Sequence, residues 1–334
     1  MLLCQSADGR LLRRAEDVLA AAVRDLRSRG LAFDELARAL RSVRRAAVTP
    51  LPDDTVPYLI PNDVSLCTPR SVLNYSVADE ELDLPAGFSI EASATKPDRF
   101  AFPYYFEPVP GFRTVESYRD RHEWVYDLSF VGQRGAGDPG SPAQPLVEPE
   151  STRFHFLHAL MSEFVPVSGA RIRLRLTWGW YRSTTLTDEQ RLGMNERSRY
   201  VESVADSRFV LCPRGVGANS FRFFETLAAC NIPIYVGQRE TRLPLDWIID
   251  WDTACFRISC EEVVDGRYAQ RLREILATPI DEVNRRRRYI FGIHHQLLSY
   301  ERFDVFEQLV LLRARALLRR RRATAPKQHG AVTR

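Results

Sequence analysis

One short stretch holds most of the residue types that could do chemistry: CPRGVGANSFRFFETLAACNIPI, from Cys212 to Ile234. It places two arginines, Arg214 and Arg222, on either side of Gly215 and Gly217, followed by Asn219, Ser220 and Phe221, with Glu225 three residues beyond Arg222. Glycines allow close backbone approach and φ > 0. Asn219 and Ser220 are good N-cap residues. A helix starting here would point free N–H groups and the positive end of its dipole at whatever sits before it, which favours an anion. Arg214 and Arg222 add charge to such a cradle, and Glu225 could accept hydrogen bonds from ribose hydroxyls. The chemistry in view is capture of a nucleoside diphosphate. The competing reading is a tight turn with Glu225 paired to Arg222 at i,i+3.

The neighbouring pattern supplies the elements that must hold this stretch. Phe209 to Cys212 reads as a buried strand that Pro213 ends. Phe221 to Ala229 reads as a helix, Asn231-Ile232-Pro233 as its stop, and Ile234 to Val236 as the next strand. Strand, glycine-bearing loop, helix and strand make half of a parallel α/β unit. Upstream, Val125 to Gly132 reads as a strand that runs into Gln133-Arg134-Gly135. Ligands of open α/β sheets bind beyond the carboxyl ends of the strands, so Arg134 is placed to meet a phosphate. An exposed loop arginine is the equal alternative.

The segment resembles the nucleotide-sugar-binding part of the exostosin-type glycosyltransferases. Phe130-Val131-Gly132, Leu243-Pro244-Leu245 and Ile249-Asp250-Trp251 extend the likeness, which covers roughly residues 125–265 and fades before 120. The helix ends Ala-Ala-Cys-Asn-Ile-Pro where the family has Gly-Cys-Ile-Pro, a change in turn chemistry at the far end from the phosphate. The resemblance implies a GT-B-like α/β fold with two Rossmann-like halves, the C-terminal half clearest, behind a helical N-terminal segment. It implies transfer of a sugar from a nucleoside-diphosphate donor, UDP-sugar ahead of GDP-sugar, to a hydroxyl of a glycan or other glycoconjugate. Family practice is inversion without a metal and with no other cofactor. Asp250-Trp251-Asp252 spells D-x-D but falls in the Ile-Asp-Trp segment and reads as structural. An inverting displacement needs a base; Asp63, Asp79, Glu91 and His122 are candidates, Asp63 and Glu91 being put forward, and the sequence does not choose among them.

The 334 residues suffice for two cored domains. We expect a helical segment at 1–48, a reduced acceptor-side domain at 49–122, the Rossmann-like domain at 123–300, a helix at 301–318 and a basic disordered tail at 319–334. In more detail, Tyr58 to Ile60, Ser71 to Leu73, Phe88 to Ala92 and Arg171 to Leu176 read as strands, and Asn74 to Glu81 as a polar loop or helix start. Arg153 to Phe164, Val263 to Leu276 and Ile280 to Tyr300 read as helices, with Arg285–Arg288 on a solvated face. The aromatic run from Phe100 to Phe106 reads as core, or as a wall for a sugar ring.

A net charge of +4 does not make the chain a polycation, and its aromatics are not interleaved with arginine, so nucleic acid is not an expected partner. No apolar run approaches a membrane span and no signal peptide is read, so the expected location is cytoplasmic. The basic tail offers peripheral contact with acidic lipid at the inner face of the membrane. Six cysteines without CxxC pairs or zinc spacing read as reduced and buried. Two rivals to transfer are a dinucleotide oxidoreductase, disfavoured because the loop has G-x-G alone, and a non-catalytic nucleotide-sugar-binding module.

Overall fold

A continuous apolar strand needs cover on both faces, which a parallel sheet flanked by helices provides. The structure, a computed structural model, builds that arrangement. It describes residues 114–133, 149–177, 198–214, 220–246 and 248–299, together with the short strands β1 (Cys4–Gln5), β2 (Thr49–Pro50), β3 (Pro57–Ile60), β4 (Leu73–Ser76), β5 (Gly87–Ser89) and β6 (Arg99–Ala101). Strands β3 to β6 pair in parallel in chain order. Asn74 to Ser76, expected to be polar loop or helix start, lie in β4, where pairing to β3 and β5 supplies the hydrogen bonds that a loop would take from water. Apart from β1, the helical segment expected at 1–48, the helix expected at 301–318 and most of the aromatic run fall outside the described residues.

The larger sheet contains β7 (Tyr126–Gln133), β8 (Ile172–Thr177), β9 (Ser207–Pro213), β10 (Ile232–Gly237) and β11 (Phe256–Ser259), all parallel, in the order β11-β10-β9-β7-β8. Taken in chain order the five stand as 2-1-3-4-5, a doubly wound, Rossmann-like arrangement. The chain leaves β7 toward one edge of the sheet and leaves β9 toward the other. The two strands are neighbours, so the crevice beyond their carboxyl ends is the topological switch point.

Helices complete the layers: α1 (Pro149–Ala159), helical residues 198–205, α2 (Phe221–Ala228), α3 (Trp251–Ala254), α4 (Cys260–Val264), α5 (Tyr268–Leu276) and α6 (Ile280–Ile293). The helix expected to run from Val263 to Leu276 is two helices, split where Gly266 takes φ +74°. Leu128, Phe130, Phe209, Leu211, Phe223, Leu227 and Ile234 meet in the core between these layers. Each such side chain contributes about 1.5–3 kcal/mol on burial. The helix ends ahead of Asn231 as expected, but β10 starts at Ile232, two residues earlier than expected, so Pro233 lies within it. Pairing of β10 with β11 begins only at Ile234, so no β11 residue faces the missing N–H of Pro233.

At the C-terminus of α2 the backbone turns at Cys230, which has φ +56°. Cys230 N–H donates to Leu227 O and Asn231 N–H to Thr226 O, the two bonds of a Schellman turn. Glycine usually fills that left-handed position, and the family pattern aligned on Ile-Pro has glycine there. Arg287 secures the turn in its place: its Nε donates to Cys230 O at 2.9 Å, and Cys230 Sγ donates to Arg287 O at 3.1 Å.

Arg287 also corrects the expectation of a solvated arginine face. Consecutive helical residues are about 100° apart, so four in a row cannot all face water, and Arg287 is only 6 % exposed. Arg285 does stay outside, on Glu282, and Arg288 pairs with Asp120. Cys212, Cys230, Cys255 and Cys260 are free and buried, as expected of reduced core thiols; burial pushes the thiols of Cys212 and Cys255 up to about 12.

Beyond α6, His294 is 7 % exposed, and burial, then the neighbouring His295, pushes its ring down to about 3 from the usual 6.5. The neutral ring's stability is fully present above about pH 6.5 and is lost as the pH falls toward 3, at up to about 1.4 kcal/mol per pH unit. Urea unfolding at pH 6.5 and pH 5 should show the wild type losing about 2 kcal/mol more than His294→Leu. Equal losses would mean that this ring does not titrate on unfolding.

Candidate active site

The crevice is bordered by the carboxyl ends of β7 and β9 and by the start of α2. Arg214 ends the described part of the loop after β9. Its N–H donates to Val236 O at 2.8 Å and its carbonyl accepts from Arg153 Nε at 2.9 Å, so its backbone is fixed between β10 and α1. The residue is 5 % exposed, and its charge reaches Cys260 at the start of α4.

The three helices that begin around the sheet after β9, β10 and β11 differ at their first residue. Asp250 caps α3 by accepting from the N–H groups of Asp252 and Thr253. That is the structural role expected for this Asp-Trp-Asp, and Trp251 is buried with its indole N–H on Pro244 O at 2.8 Å. Ser259 closes α4 with Glu262 in a capping box. Ser220 sits at the cap position of α2 with extended backbone and makes no side-chain cap. Its Oγ is buried without a hydrogen-bond partner, and so is Arg222 Nε. Leaving such atoms unpaired costs about 1–3 kcal/mol each, and a ligand that supplies partners recovers it. Phe221 opens the helix and is half-buried.

Arg222 crosses the crevice floor. Its Nη2 donates to Val131 O on β7 at 2.8 Å, and its guanidinium lies 4.3 Å from the Phe130 ring centre and 5.8 Å from that of Tyr200. Gly132 leaves room for this crossing: a Cβ there would collide with Arg222 Nη2 and displace the end of that side chain. Glu225, one turn on, is 3 % exposed. Its Oε2 accepts the hydroxyl proton of Tyr200, whose pKa burial and then the Glu225 charge raise well above the usual 10. Tyr200 therefore stays a donor across the working pH range.

The structure thus brings Arg214, Ser220, Phe221, Arg222 and Glu225 to one strand–helix junction beside β7. Arg134, Gly215, Asn219, Asp63 and Glu91 lie outside the described residues, as does Asp79. His122 is exposed and just ahead of β7, at the amino ends of the strands and away from the crevice. Sequence reasoning missed Tyr200 and Arg153. An aromatic in a helix normally means core, and an arginine in one normally means solvent. Neither residue lies close in sequence to the group it holds. Among the described residues no group of three His, Cys, Asp or Glu is placed to hold a metal ion.

Gly132→Ala should cost about 2 kcal/mol, because Arg222 must give up the Val131 carbonyl and its packing on Phe130. In an Arg222→Met background the same change should cost less than half as much by urea unfolding. An undiminished cost would show that the glycine serves something other than this arginine.

Residues 152–275 match a family described as Exostosin GT47 domain. The chain is 36% identical over 86 residues to the Exostosin-1 homolog of Caenorhabditis elegans, covering 24% of this chain and 22% of that protein. It is 42% identical over 59 residues to Exostosin-1a of Danio rerio, covering 18% of this chain and 8% of that protein. It therefore spans less than a quarter of the length of either relative. The matched residues run from α1 through β8 to α5 and include every described residue of the candidate site outside β7. Residues 152–275 are thus similar to the exostosin GT47 domain.

Proposed function

We propose that this chain transfers a sugar from a nucleoside diphosphate, UDP ahead of GDP, to a hydroxyl of a glycan or glycoconjugate. The observation that carries the reading is the start of α2: an uncapped helix terminus at the switch point, with buried Ser220 Oγ and Arg222 Nε unpaired and Arg214 beside it. The diphosphate lies on that terminus, and the ribose hydroxyls donate to Glu225. In the inverting reaction the acceptor oxygen attacks the anomeric carbon as the bond to the β-phosphate oxygen breaks. The electron pair leaves with the diphosphate, and the acceptor's proton passes to a carboxylate base, Asp63 or Glu91. Negative charge grows on the diphosphate in the transition state, so N–H groups and guanidinium aimed there lower the barrier without reorganising. On this reading basic groups meet the phosphate charge without a metal, and the enzyme works in the cytoplasm, where its basic tail can meet acidic lipid.

Calorimetric titration of the folded chain with UDP and GDP tests the donor site. Arg214→Ala and Glu225→Ala should each weaken the preferred nucleotide by about tenfold or more, the loss of one charge-assisted hydrogen bond, while leaving the chain folded. Unchanged affinity in both would remove the assignment. Incubation with labelled UDP-, GDP- and CMP-sugars separates an enzyme, which transfers or hydrolyses the donor, from a module that only binds it.

A further inference from the structure

The pairing of Tyr200 with Glu225 has no part in a plain phosphate cradle. Glu225 is buried in the second turn of α2, and a buried carboxylate is stable in its charged form only when donors surround it. Tyr200 comes from helical residues 198–205, ahead of β9, and reaches the carboxylate with its hydroxyl. Its ring is fixed too: it is 3 % exposed and flanks the Arg222 guanidinium, which Phe130 and Val131 O hold from the other strand. Phe130, Arg222, Tyr200 and Glu225 therefore form one chain of contacts beneath the start of the helix, with Arg222 half-buried and the other three buried. A carboxylate offers about four lone-pair directions over two oxygens. A donor anchored on Oε2 sets the plane of the group, and with it the directions in which Oε1 accepts.

We propose that Tyr200 is a positioning residue for nucleotide recognition: by holding Oε2 of Glu225 it orients the carboxylate toward the ribose hydroxyls of the donor. The inference rests on the donor site proposed above and adds a specificity element to it. Tyr200 touches no substrate. It removes the rotational freedom that Glu225 would otherwise lose on binding, and its effect is confined to ligands that carry the hydroxyls. A purely structural tyrosine would affect every ligand of the crevice alike.

The test is calorimetric titration of wild type, Tyr200→Phe and Glu225→Gln with UDP and with 2′,3′-dideoxy-UDP. Wild type should bind UDP at least about tenfold more tightly than the dideoxy compound, as expected for lost hydrogen bonds to a charged acceptor. Tyr200→Phe should weaken UDP by about five- to tenfold and the dideoxy compound by less than twofold. Glu225→Gln should behave the same way, and combining it with Tyr200→Phe should add little further loss, because both act through one group. Equal loss for the two nucleotides in Tyr200→Phe, or no loss for either, overturns the inference while leaving the donor site standing. If Tyr200→Phe does not fold, Glu225→Gln decides: a loss confined to UDP supports the ribose contact, and equal losses overturn it. Failure of the wild type to bind UDP or GDP at all overturns the donor site itself.

Discussion

A helix of about two turns cannot hold its own place in water. Helix α2 is such a helix, and the candidate site is built on its first residues, so the site depends on whatever pins α2 to the sheet. Burial does most of this, because Phe223, Phe224, Leu227 and Ala228 leave the helix almost no wet face. Packing alone fixes position better than rotation. The Arg222 crossing to Val131 O fixes rotation at the amino end, and the Schellman turn clamped by Arg287 fixes it at the carboxyl end. Glycine at 132 makes room for the first clamp. Cys230, strained at φ +56°, is the position that the second must hold.

Charge follows from the same geometry. Several arginines elsewhere in the described structure bond to carbonyls and carboxylates: Arg208 to Leu276 O and Thr278 O, Arg121 to Ala205 O, Arg285 to Glu282. The first ties the end of α5 to β9, and the second ties the end of helical residues 198–205 to the segment ahead of β7. At the start of α2 the cap serine contributes no bond, and its Oγ is buried without a partner. Two neighbouring helices, α3 and α4, satisfy their own amino ends with Asp250 and Ser259. The contrast lies where the strand order reverses, the place at which doubly wound sheets bind ligands.

The parts of the fold legible in the sequence are those with a local pattern. The run Phe209–Cys212 and the helix from Phe221 could be read within one or two residues, because apolar periodicity and cap residues act over a few positions. Phe256–Ser259 was legible for the same reason. The strand after α2 starts at Ile232, two residues ahead of the reading, since a proline alone does not reveal that pairing with β11 begins one position later. Arg287 was misplaced on the surface because its partners, Cys230 O and Arg119 O, lie far away along the chain. Of the site, the strand–loop–helix frame and its charged residues were legible, and their connections were not. Arg222 meets Val131 91 positions away, and Tyr200 meets Glu225 across an intervening strand. No periodicity encodes such contacts; only the crossing of strands creates them.

The central claim is that the pyrophosphate of a sugar nucleotide rests on the amino end of α2, between the carboxyl ends of β7 and β9. A crystal structure of the chain with bound UDP measures this directly. The account predicts phosphate oxygens within hydrogen-bond distance of Ser220 and the first N–H groups of α2, with the ribose beside Glu225. UDP bound elsewhere, with the amino end of α2 contacting none of its oxygens, would contradict it.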